Sequence, residues 1–264
     1  MIAPGLVSWT LHRDDVALRA FALGAGPGVL LLHGFSSSFR RNWHGTGWTK
    51  ALAASGRRAL GFDFRGHGGS ARSESPAFYR PEILCADCAS LQDAVGETRT
   101  DVVGFSMGAA IALQFAILHP ERVRSLILGG IGDKVLPASP PPPEPGWIAA
   151  AMRPAEEPGD APPIARRFRM FAQRGGNDLQ ALAAMMDGGG WPGRIDIPGP
   201  VRCNVLLVLA ENDEFMPRTD ALRATLPGAR TLVVPGTDHI GLSGDPRFLE
   251  AGLGFLNEVH PPGP

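Results

Sequence analysis

A chain of 264 residues, 44% hydrophobic and 19% charged, is large enough for a sizeable core and too apolar to be disordered. Its formal net charge of −1 lacks the basic excess that nucleic acid or an acidic membrane would demand. No apolar run approaches the roughly 18 residues of a membrane span, the start Met1-Ile2-Ala3-Pro4-Gly5 does not read as a signal peptide, and three cysteines cannot build a disulfide framework. The expectation is a cytoplasmic protein with no nucleic-acid and no membrane partner.

The spacing of apolar residues predicts strands and helices in alternation. In chain order these are a strand at 16–22, a strand at 29–32, a helix at 43–55, a strand at 59–63, a helix at 81–95, a strand at 101–105, a helix at 107–119 and a strand at 125–128. Cys85 and Cys88 fall inside the helix at 81–95, away from any strand-to-helix turn and without further ligands at matching spacing. They read as two small packed side chains, not as a redox or zinc site.

After 128 the rhythm breaks. Residues 137–163 hold ten prolines, including the run 140–143, which rules out a central strand or a long helix. Helical patches follow at 164–174 and 179–186, then Gly188-Gly189-Gly190, permissive enough to act as a hinge. A strand at 204–210, a helix at 218–225, a strand at 231–234 and a helix at 246–259 complete the chain. Val205-Leu206-Leu207-Val208-Leu209 is apolar at every position, so both faces of that strand must be covered. The pattern is α/β: a mostly parallel central sheet flanked by helices, with residues 1–131 and 200–264 forming the core and 132–199 a small proline-rich cap insertion.

Gly104-Phe105-Ser106-Met107-Gly108 joins the strand at 101–105 to the apolar helix that follows. Gly-x-Ser-x-Gly is weak as a bare string. Between a buried strand and a helix it describes a sharp turn that lifts a serine hydroxyl off the sheet, at a helix N-terminus that favours negative charge. A serine needs a base. Of seven histidines, His239 follows the strand at 231–234 at its C-terminal end, where open parallel sheets place catalytic groups. The base needs an acceptor to hold its tautomer. Asp213, after the strand at 204–210, is the candidate; Glu211, Glu214, Asp187 and Asp238 are its rivals.

The order Ser106, Asp213, His239 resembles the α/β-hydrolase superfamily, and the resemblance covers nearly the whole chain. Leu30-Leu31-Leu32-His33-Gly34-Phe35 resembles that family's strand followed by His-Gly, and 63–70, Asp-Phe-Arg-Gly-His-Gly-Gly-Ser, its Asp-x-Arg-Gly-His-Gly-x-Ser turn. The segments around Asp213 and His239 resemble its acid and histidine loops. The resemblance implies that the backbone N–H groups of Phe35 and Met107 form an oxyanion hole, and that His33 and His67 shape turns and are not bases. Physics supports Met107 independently, as the residue after the nucleophile at a helix N-terminus.

Nucleophile, base and oxyanion hole together specify acyl transfer from a small-molecule substrate to water, with no metal and no organic cofactor. The serine argues against dehalogenase and epoxide-hydrolase chemistry, which in proteins resembling this one uses aspartate. The expected activity is that of a carboxylesterase for small or medium esters. The alternatives are a carbon–carbon bond hydrolase of ring-cleavage products, a lactonase, or a catalytically silent binding module. Trp147, Phe171 and Trp191 in the insertion, with Met216 and Ile240 beside the acid and base, are the expected substrate contacts; Met152, Phe168, Met185 and Met186 add apolar surface there, and the insertion residues equally suit a packed cap core. Self-association stays open.

Overall fold

The computed structural model describes residues 5–137, 144–153, 161–190 and 194–261. Eight strands form one sheet: β1 (Val7–Arg13), β2 (Val16–Leu23), β3 (Gly28–Leu32), β4 (Arg58–Phe62), β5 (Thr100–Phe105), β6 (Val123–Gly129), β7 (Asn204–Ala210) and β8 (Arg230–Val234). Their spatial order is β1-β2-β4-β3-β5-β6-β7-β8. β1 and β2 pair antiparallel, as do β2 and β4, and all other pairs are parallel. β1 was not expected. Ser8, Thr10, His12 and Arg13 dilute its apolarity, because it closes the sheet edge and leaves one flank to solvent.

Helices α1 (Trp48–Ala54), α2 (Pro81–Val95), α3 (Met107–Leu118), α7 (Asp220–Thr225), α8 (His239–Leu242) and α9 (Pro246–Val259) belong to the core. α3 is apolar nearly all round because it is enclosed between the sheet and α2. α1 and α9 cover the other face, where Trp48 meets Phe248 edge-on at 5.1 Å. The helix expected at 43–55 is instead a wide turn, Arg40–His44, and then α1; Gly47 between them takes φ 90°, which interrupts helical geometry. Helix α7 begins at Asp220, two residues later than predicted.

Between β6 and β7, within the residues read from the sequence as an insertion, lie α4 (Glu144–Met152), α5 (Pro163–Arg174) and α6 (Leu179–Asp187). The nine-residue α4 lies inside the proline-rich stretch because Pro145 falls in its first turn, where a missing N–H costs nothing. The run 140–143 lies outside the described residues. α4 packs on α5 and α6, and Ile148, Met152, Phe168, Leu182 and Met185 join the same apolar cluster as the α2–α3 face of the sheet. Gly188 and Gly190 are held close to backbone: a Cβ would lie 2.1 Å from the Pro76 carbonyl oxygen and 2.7 Å from that of Tyr79. Close packing therefore accounts for two of the three glycines read as a hinge.

The chain steps from β3 to β4 on one side and then to β5 on the other. Loops leaving β3 and β5 diverge at this reversal and open a crevice at the C-terminal strand ends.

Candidate active site

Ser106 sits in that crevice, between β5 and α3, at φ 54° and ψ −113°. A non-glycine residue in this region is strained, and the surroundings must hold it there. Its N–H donates to the Gly129 carbonyl at 2.8 Å. The flanking glycines are dictated by contact: a Cβ on Gly104 would lie 2.3 Å from the Gly108 carbonyl oxygen, and one on Gly108 would lie 2.0 Å from that of Leu32. No larger residue lets α3 start so close to β3. The Met107 amide is one of the donors that a helix leaves without an intrahelical acceptor.

The structure brings Ser106, His239 and Asp213 together from three separate strand ends. Ser106 Oγ lies 2.8 Å from His239 Nε2, and His239 Nδ1 lies 2.7 Å from Asp213 Oδ2. An ionised carboxylate only accepts, so Nδ1 carries the proton and Nε2 is left to accept from the serine hydroxyl. Asp213 Oδ1 accepts from the backbone N–H groups of Phe215 at 3.0 Å and Met216 at 2.7 Å, which orients the carboxylate. All three residues are buried.

The rival carboxylates are engaged elsewhere. Asp238 caps α8 through the Gly241 N–H at 2.7 Å, and Glu211 accepts from the Gly236 N–H at 2.8 Å. Glu214 pairs with Arg167 at 3.5 Å, and Asp187 pairs with Arg153.

Opposite Ser106 runs the turn after β3. Ser36 takes φ 60°, its N–H donates to His67 Nε2 at 3.0 Å, and the Gly34 N–H donates to Asn42 Oδ1 at 2.8 Å. The Phe64 N–H donates to His33 Nε2 at 2.9 Å. Both imidazoles accept at Nε2, so both are neutral and protonated at Nδ1, facing the carbonyls of Gly34 and Arg65. Burial pushes His33 down to about 4; burial, and then the neighbouring His33, push His67 down to about 3. Asp63 ties the adjoining turns, accepting from the N–H groups of Phe39 at 2.8 Å and Gly69 at 3.0 Å.

A narrow pocket of about 30 Å³ opens beside Ser106 and His239. Phe35, Phe105, Phe168, Phe171 and Ile240 give it an aromatic and aliphatic wall. Phe171 and Ile240 thus lie where sequence reasoning expected substrate contacts. Trp147 is 42% exposed and is not part of this wall, and Met216 is buried, serving the acid loop through its backbone. Trp191 lies outside the described residues. Sequence reasoning missed Asn42 and Ser37, whereas Phe168 stood among the apolar insertion residues it offered as pocket wall or cap core.

The model of the alpha/beta hydrolase family matches residues 29–251. Epoxide hydrolase B of Mycobacterium tuberculosis is 37% identical over 120 residues, 44% of this chain and 33% of that protein. Bifunctional epoxide hydrolase 2 of Sus scrofa is 30% identical over 132 residues, 50% of this chain and 23% of that protein. The matches thus span about a third or less of the length of these curated relatives. A marine microorganism esterase of known structure superposes with a TM-score of 0.72 at 21% identity, covering 92% of this chain and all of that one, which shows a shared fold. With four-fifths of its length matched by the family model and its sheet in the matching topology, this chain belongs to the alpha/beta hydrolase family.

Proposed function

We propose that this protein is a serine hydrolase that cleaves carboxylic esters of small or medium size through an acyl-enzyme. The observation that carries the reading is the unbroken hydrogen-bonded chain Ser106–His239–Asp213, at 2.8 and 2.7 Å, with the serine on a strained strand-to-helix turn. His239 Nε2 takes the hydroxyl proton as Ser106 Oγ bonds to the ester carbonyl carbon. Asp213 steadies the imidazolium that forms. The amides of Phe35 and Met107 receive the developing oxyanion. The tetrahedral intermediate collapses with cleavage of the ester C–O bond, and His239 returns its proton to the departing alcohol. Water then repeats the sequence on the acyl-enzyme, releasing the acid and free Ser106.

Epoxide opening, the reaction named in the curated relatives, fits this site poorly. Attack on an epoxide by a serine hydroxyl leaves an ether, which water assisted by histidine does not cleave. Attack on an ester leaves an ester, which it does. The insertion acts in this reading as a cap, since Phe168 and Phe171 of α5 close the pocket.

The test is fluorophosphonate labelling together with a nitrophenyl acetate burst. Wild type should label once per chain and release a stoichiometric burst. Ser106→Ala should do neither and should lose about 10⁴-fold or more in kcat while remaining folded. Unchanged labelling of Ser106→Ala refutes the assignment, and turnover of styrene oxide in preference to esters refutes the reaction class.

A further inference from the structure

His239 Nε2 faces Ser106 only until the serine oxygen bonds to the acyl carbon. From then until its proton reaches the departing alcohol, the imidazolium keeps the hydrogen bond of its other nitrogen, to Asp213. One hydrogen bond leaves a ring free to tilt, and a misplacement of about 1 Å can cost on the order of 10²-fold in rate. The backbone supplies little further restraint, because His239 opens α8, a helix of only four residues. Packing supplies it instead. The Phe105 ring centroid lies 5.5 Å from that of His239 and the Phe215 centroid 5.2 Å, both rings tilted. The Gly130 backbone borders another edge: a Cβ there would lie 3.3 Å from His239 Cε1.

The two aromatic residues differ in what else they touch. Phe105 lines the pocket beside Ser106, so replacing it would reshape the surroundings of the substrate. Phe215 is not part of that wall and is buried. Its N–H donates to Asp213 Oδ1 at 3.0 Å, while its ring meets His239. One residue thus touches the acid through its backbone and the base through its side chain. The ring is itself packed: Phe168 meets it edge-on at 5.3 Å, and the Lys134 ammonium lies 5.0 Å from its centroid.

We infer that the Phe215 ring is a positioning element for the catalytic base, keeping the His239 imidazole aligned after its bond to Ser106 is lost and until its proton is delivered. The inference rests on the ester-hydrolase reading above. Phe215 acts through His239 and takes no part in bond making or breaking. Replacing its side chain leaves the backbone donor to Asp213 in place, so the two roles are separable.

The experiment is a double-mutant cycle between Phe215→Leu and His239→Ala on 4-nitrophenyl acetate, with folding checked by thermal melting. Phe215→Leu should lower kcat by about 10-fold, leave KM within about 2-fold, and slow fluorophosphonate labelling by the same factor as kcat. Phe215→Tyr, which keeps the ring, should restore kcat to within about 3-fold of wild type. In the His239→Ala background, Phe215→Leu should change the residual rate by less than about 2-fold, because the group it positions is gone. A merely structural effect of Phe215→Leu would persist there. Should Phe215→Leu fail to fold, Phe215→Met takes its place in the cycle. An active wild type with kcat within about 2-fold in the folded variant overturns this role alone, as does a loss confined to KM or one of equal size with and without His239. A wild type that cleaves no ester and takes up no fluorophosphonate overturns the ester-hydrolase reading, and this role with it.

Discussion

Asn177, in the turn between α5 and α6, donates its side-chain amide to the backbone carbonyl of Ser36 at 2.9 Å. One hydrogen bond therefore links the insertion to the turn that carries Phe35. The N–H of the same Ser36 is held from the other side by His67. The peptide units 35–36 and 36–37, on either side of a strained residue, are thus fixed by two distant parts of the chain, directly after the Phe35 amide.

Asn177→Ala should consequently slow acylation without disturbing the serine. Removing one neutral hydrogen bond of about 1 kcal/mol predicts a loss of about 5-fold in kcat/KM. The rate of fluorophosphonate labelling should fall in parallel, because in the proposed mechanism that reagent uses the same backbone donors. An unchanged labelling rate in a folded variant shows that the turn needs no support from the insertion.

Replacement of Asp213 by Asn should cost up to about 10⁴-fold in kcat, since an amide can hold the wrong imidazole tautomer. Glu211→Gln, Glu214→Gln, Asp187→Asn and Asp238→Asn should each stay within about 10-fold, because their carboxylates bond to other groups. Steady-state kinetics on one ester ranks the five variants, and a rival matching Asp213→Asn would transfer the role to that residue.

Acid should weaken the fold through His33 and His67. Unfolded, both imidazoles titrate near the ordinary value of 6.5; folded, burial holds them at about 4 and about 3. Between those limits the unfolded chain binds protons that the folded chain refuses, so stability is complete above about pH 6.5 and falls as the pH drops. At pH 5 the loss should be roughly 2 kcal/mol for each histidine. Urea denaturation at pH 7.5 and 5.0 measures it, and His67→Gln should shrink the difference. Equal stability at the two pH values contradicts a neutral buried pair.

Phe168 and Phe171 should govern chain-length preference, whereas Trp147 should not. Both phenylalanines line the pocket; Phe171 also stacks under the Arg41 guanidinium at 4.7 Å, and Phe168 meets Phe215 at 5.3 Å. Phe171→Ala should cost about 1–3 kcal/mol in kcat/KM on an octanoate ester and much less on acetate. Trp147→Ala should leave the octanoate-to-acetate ratio unchanged. Equal losses on both esters in folded Phe168→Ala and Phe171→Ala would remove the insertion from substrate selection.

Local chemistry determined much of this protein in advance. Parallel strands covered on both faces read as near-continuous apolar runs, so β3, β5 from residue 102 and β7 from residue 205 were legible as strands, and the glycines flanking Ser106 announced a turn where backbones touch. The edge strand β1 was illegible because half of its positions face water, and α4 because prolines in a first helical turn look like prolines in a loop. The chain order marked Ser106, Asp213 and His239 as strand-end residues. Only the tertiary structure decided which carboxylate meets the imidazole, since Glu211, Asp213, Glu214 and Asp238 lie on adjacent loops and differ in direction, which spacing does not encode. The same holds for Asn42 and Asn177. Each is an ordinary polar residue in the sequence, and its role comes from groups 8 to 141 residues away. Side chains acquire such roles when loops from separate strands converge, because a hydrogen bond depends on distance and angle between groups, not on their separation along the chain.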